Sequence, residues 1–218
     1  IGAIITLIAQ IGVKGRYSKY KRINASKMIT GHEVARRILD ANGLENVQIK
    51  EVAGTLSDHY NPSDKTVNLS TDIYKDSSIA SIAVAAHECG HAIQDKVEYK
   101  LLRFRHSIIP TVNICSKLGY IVVVIGLLFG SFNLAMIGLF LLCTILVFQL
   151  VTLPVEFNAS RRAKIELKKL ELVDNKDTSG VKSMLFAAAM TYVASVASTL
   201  LQMLRMLLII LNSRRSDD

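Results

Sequence analysis

Cysteine and proline are scarce in this chain: three of each among 218 residues. Cys89, Cys115 and Cys143 are odd in number and scattered, which excludes a disulfide scaffold. So few prolines, with only 12 glycines, exclude collagen and low-complexity sequence. Disorder is excluded by an abundance instead: 50% of residues are hydrophobic and the mean hydropathy is +0.34. The apolar stretch 1–13 lacks the charged start and cleavage site of a signal peptide, and no methionine precedes it. It is expected to be the end of a first membrane helix.

Charge is missing in blocks. From Leu118 through Val155 no residue is charged. One helix of that length would measure about 57 Å at about 1.5 Å per residue, against a bilayer core of about 30 Å. Gly130-Ser131-Phe132-Asn133 reads as a turn inside the run, so two spans are expected, 111–130 and 134–153. A third uncharged stretch, 185–204, is rich in alanine and serine, which let helices approach closely in a membrane. It is expected to cross the bilayer or to pack on the other spans.

The net charge is +8, which attracts nucleic acid or an anionic membrane surface. The basic residues stand beside the apolar stretches. Lys14, Arg16 and Lys19 follow the stretch 1–13, Arg103 and Arg105 precede the span 111–130, and Arg161, Arg162, Lys164, Lys168 and Lys169 follow the span 134–153. The turn at 130–133 has none, so these segments are expected to face the cytoplasm. Segment 31–43 could pass for half of a helix-turn-helix, but no recognition helix follows it. The partner is therefore the lipid bilayer and no nucleic acid is expected.

The region between the first two spans has ordinary globular composition. Thr30-Gly31-His32-Glu33 is a capping-box pattern opening a helix to about Ala41. Val47–Val52 alternates like a half-buried strand, Asp58–Asp64 is a turn-rich bend, and Thr66–Leu69 is a second strand. These are expected to form a hairpin-like sheet, with Thr66–Leu69 offering an edge to an extended substrate. Ser78–Val97 then reads as a long helix, apolar on most faces.

That helix carries His87-Glu88-Cys89-Gly90-His91, an H-E-x-x-H. Histidines at i and i+4 lie one above the other, so both imidazoles can reach one zinc ion, with Glu88 placed to accept a proton from the attacking water. Cys89 lies on another face and reads as a core packer. A catalytic zinc needs a third protein ligand. The continuation H-x-x-G-x-x-H is absent, because Gln94 and Val97 stand in its place. His32, His59 and His106 each read as surface or hydrogen-bonding histidines. Glu156, just past the second span and expected at the start of a charged helix, is the better candidate. Two crossings return the chain to the face it left, which lets Glu156 share a site with His87 and His91.

The phrases TGHEVARRILDANGL, LSDHYNPSDKTVNLS, AAHECGHAIQ, FQLVTLPVEFNASRRA and AAAMTYVAS resemble the bacterial membrane-bound neutral zinc metallopeptidases. More distantly the chain is similar to the HtpX-like membrane proteases, in which E-x-x-x-D follows the H-E-x-x-H after membrane helices. The resemblance implies a mainly α fold with a small β element, an integral membrane zincin-like metalloprotease with a transmembrane helical hairpin. It implies one catalytic Zn²⁺ held by His87, His91 and Glu156, with Glu88 as general base and a polypeptide as substrate. It places the protein in the bacterial cell membrane with its catalytic side toward the cytoplasm. The implied divisions are a membrane helix end (1–13), a catalytic region (14–110), a transmembrane hairpin (111–155), a helix with the third ligand (156–182) and a C-terminal membrane or membrane-packed helix (183–212). Ser160 stands where the pattern has Asp, so Asn158 or Asp58 is a candidate partner for the histidines. Tyr192 and His59 are candidate donors to an oxyanion. The rival class is a non-catalytic membrane scaffold with a structural metal.

Overall fold

The computed structural model describes residues 2–217, with side chains through Ser213. Ile1 lies outside the described residues. In chain order the elements are α1 (Gly2–Lys21), α2 (Gly31–Ala41), β1 (Gln48–Val52), β2 (His59–Asn61), β3 (Thr66–Ser70), α3 (Thr71–Lys75), α4 (Ile79–Lys96), α5 (Lys100–Leu128), α6 (Phe132–Lys169) and α7 (Asn175–Asp217). The fold is mostly helical with one small sheet.

Local chemistry sets the helix starts. Thr30 Oγ1 accepts from the Glu33 N–H at 3.2 Å while Glu33 Oε2 accepts from the Thr30 N–H at 2.7 Å, the reciprocal cap the sequence predicts for α2. Ser78 caps α4 by accepting from the Ser81 N–H at 3.1 Å. Ile79, Ile82, Ala83, Ala85, Ala86, Cys89 and Ala92 of α4 are all buried. The helix is therefore wrapped on nearly every side, and its alanines keep the neighbours close.

The sheet differs from the expected hairpin. Its order is β1-β3-β2, with β1 parallel and β2 antiparallel to β3. The turn-rich bend contains β2, whose Tyr60 stands opposite Val67. β3 is buried throughout and paired on both sides, so Thr66–Leu69 offers no edge; the edge nearest α4 belongs to β2.

α5 and α6 form the expected helical hairpin, turning at Phe129–Ser131 through Gly130 at φ +64°. The hairpin is tight. A Cβ on Gly126 would come within 2.4 Å of the Ala135 nitrogen, and one on Gly138 within 2.5 Å of the Val123 nitrogen. α6 does not stop at the membrane surface. It passes through Pro154 unbroken, so Glu156 sits mid-helix rather than at a helix start. Proline removes one hydrogen bond there, but in apolar surroundings no other partner would satisfy the rest of the backbone if the helix ended. α7 likewise absorbs the third apolar stretch into one long helix. Among the described residues three helices, α5, α6 and α7, are long and apolar enough to cross a membrane. α1 runs beside α7, where Gly2 meets Ser198.

Two buried clusters result. One gathers α2, β3, α3, α4 and the lower parts of α6 and α7, and the other joins Val123, Ala135, Leu139, Leu142 and Ile210 at the far end of the hairpin. α4 meets α6 where a Cβ on Gly90 would stand 2.5 Å from the Ala159 carbonyl oxygen. Gly90→Ala gains about 1 kcal/mol in helix propensity. The clash is with backbone and should outweigh that gain, lowering stability by about 1–3 kcal/mol net. Thermal unfolding of the detergent-solubilised protein measures this, and an unchanged midpoint contradicts the backbone contact.

Candidate metal centre

His87 and His91 project from one face of α4, with ring centroids 4.8 Å apart and planes at 85°. The α4–α6 contact brings Glu156 over them. Glu156 Oε2 lies 3.2 Å from His87 Nε2 and 3.6 Å from His91 Nε2. One ligand atom from each of the three residues lies within 4.8 Å of the others. Glu156 is 3% exposed and His87 and His91 are largely covered.

The outer nitrogens of both rings are engaged. His87 Nδ1 is 3.1 Å from Ser160 Oγ, one helical turn after Glu156. His91 Nδ1 is 3.0 Å from Gln94 Oε1, and the amide of Gln94 donates to Val155 O at 2.8 Å and to Asn158 Oδ1 at 3.0 Å. A carboxamide oxygen only accepts, so the His91 proton resides on Nδ1 and the lone pair on Nε2 faces Glu156. Two imidazole lone pairs and one carboxylate oxygen, converging with room for a fourth ligand, fit zinc in its catalytic pattern.

Among the expected partners, Ser160 itself reaches His87. Asn158 acts one step away, through Gln94. Asp58 lines the same cavity but accepts from Ser70 N and Oγ, at 2.7 and 3.1 Å, and touches neither ring. Gln94 appeared in the sequence only as the residue standing where the H-x-x-G-x-x-H continuation has its glycine. Its signal was local: three residues after His91, it lies on the same helix face.

Glu88 is 7% exposed, and its Oε2 accepts the Tyr60 N–H at 3.0 Å. Burial pushes its carboxyl up to about 7, against the pull of His87. Glu156 is compensated differently. Arg105 donates from Nη1 to its Oε1 at 3.1 Å, an interaction the sequence did not suggest. A cavity of about 150 Å³ is lined by Glu88, Glu156, Arg105, Tyr192, His59 and His106, among others. Both candidate oxyanion donors therefore face the site. His59 Nδ1 is 2.9 Å from Ser57 O. His32 packs on Tyr74 instead, at 4.6 Å. Cys89 points into the core, 3.6 Å from Ala35 O.

Residues 1–211 match the family described as "Putative neutral zinc metallopeptidase". The chain belongs to this family. It is 46% identical over 206 residues to the "Putative membrane protease YugP" of Bacillus subtilis (strain 168), covering 94% of this chain and 92% of that protein. No solved structure matches. The family's zinc and the membrane setting of the relative agree with the cluster of His87, His91 and Glu156 and with the three long apolar helices.

The partner of His87 in this family member is a hydroxyl, weaker than a carboxylate at orienting an imidazole. Ser160→Ala should lower zinc affinity about tenfold and Ser160→Asp should raise it. Competition against a chromogenic chelator reads both, and identical affinities in the three proteins would remove Ser160 from the site.

Proposed function

We propose that the protein is a zinc-dependent endopeptidase of the membrane, with His87, His91 and Glu156 as ligands and Glu88 as general base. The observation that carries this reading is the convergence of the H-E-x-x-H face of α4 with Glu156 of α6, supported by the Nδ1 partners of both rings. When bound, zinc supplies Lewis acidity, acidifying water and polarising the scissile carbonyl.

The protein's own groups do the rest. Tyr60 N–H holds one oxygen of Glu88, which fixes the carboxylate against the cavity wall. Glu88 takes the proton of the attacking water and hands it to the leaving amine. Its raised affinity for a proton, a result of burial, suits both transfers, although a cation beside it draws that affinity down. Arg105 occupies the second oxygen of Glu156, leaving the first for the ion. Tyr192 lines the same cavity as Glu88 and is the proposed donor to the developing oxyanion. The substrate is a polypeptide. An extended segment lies along β2, the strand edge beside the site, and the site opens toward the cytoplasm, a reading supported by the flanking basic residues.

Glu88→Gln should reduce cleavage of an unfolded protein substrate by about 10²–10⁴-fold while leaving one zinc per chain. Glu156→Ala should lose the zinc. Metal analysis beside a cleavage assay reads both, and undiminished proteolysis by the Glu88 variant would refute the assigned base.

A further inference from the structure

Away from the metal centre, α6 and α7 diverge and leave a groove of about 570 Å³. On α6 it is walled by Arg161, Lys164, Ile165 and Lys168, a stripe at helical spacing, and on α7 by Thr178, Val181 and Lys182. Every charged residue lining it is a cation. Among the described residues none of these four cations forms an ion pair, and the neighbouring acids are turned elsewhere. Glu166 accepts from Asn42 at 2.9 Å, Asp174 faces Lys27 at 3.4 Å, and Asp177 accepts from Ser26 N at 2.7 Å. Like charges one turn apart on α6 repel one another, and no ion pair among the described residues relieves that repulsion.

The height of the groove selects its occupant. Arg161 stands six residues past Val155, the last residue of the uncharged run, or about 9 Å along the helix. Lys182 lies three residues before the apolar stretch that opens at Leu185. The headgroup layer is about 5–8 Å deep on each side of the hydrocarbon. Lys182, about 4.5 Å out, therefore stands within it and Arg161 at its outer edge, with Lys164 and Lys168 one and two turns beyond on a helix whose long side chains lean back toward the bilayer. Ile165 and Val181 give the groove an apolar wall beside these charges. Phosphodiester groups are concentrated at the level of Lys182 and Arg161, and basic pockets between membrane helices suit them.

We propose that the groove between α6 and α7 binds the headgroup of an anionic phospholipid from the leaflet on the active-site side. The phosphodiester sits between the α6 stripe and Lys182, and the glycerol lies against Ile165 and Val181.

The full chain, stripped of lipid in neutral detergent, tests this by native mass spectrometry and thermal unfolding with phosphatidylglycerol, phosphatidylcholine or inorganic phosphate. Phosphatidylglycerol should form a one-to-one adduct and raise the unfolding midpoint, while phosphatidylcholine should do neither. K164Q/K168Q should bind phosphatidylglycerol at least tenfold more weakly. K14Q/R16Q, which changes exposed cations on α1, should bind it as the wild type does. All four side chains are exposed, so unfolding without lipid and zinc content should not change. Equal phosphatidylglycerol binding by K164Q/K168Q and wild type would overturn the proposal. So would equal stabilisation by inorganic phosphate, or displacement of the lipid by an acidic peptide.

Discussion

The candidate metal centre depends on one backbone contact. α4 and α6 touch where Gly90 faces the Ala159 carbonyl, with no side chain between them. That approach puts Glu156 and Ser160, one turn apart on α6, against His87 and His91, one turn apart on α4. It also lets Gln94 reach Val155 and Asn158 across the same seam. A methyl group at position 90 would stand in the middle of this seam. The glycine inside H-E-x-x-H is thus a packing requirement, distinct from the chemistry of its neighbours.

Two buried carboxylates face each other across a small cavity, and their surroundings divide their work. Glu156 is met by a guanidinium, which favours the charged form of a carboxylate. Glu88 has a single backbone N–H and little water, so it holds a proton more readily. Carboxyls kept in unlike surroundings can serve as anion and proton carrier at one pH. Arg105 comes from the same hairpin that carries Glu156, so both members of that pair reach the site together.

Much of this was legible in the chain, for reasons that can be named. The capping box at Thr30 and the His87–His91 spacing are local rules, and the structure follows both. The two-span hairpin followed from length against bilayer thickness alone. The parallel pairing of β1 with β3 was not legible, because strand neighbours are chosen by the core beneath them. β2 is three residues long, too short for a periodicity to show. The unbroken course of α6 past Pro154 was misjudged because the span was cut to bilayer thickness, and a helix need not end where the membrane does. The role of Gln94 needed contacts 61 and 64 residues away in sequence.

The unbroken course of α6 has a practical consequence. Its first half lies among the apolar helices and its second half supplies Glu156 to the imidazoles. No soluble fragment ending before the hairpin can contain the whole cluster, because it would carry the histidine pair and leave the carboxylate behind. In this architecture the candidate metal centre is not a detachable module hung on an anchor: the anchor is one of its walls.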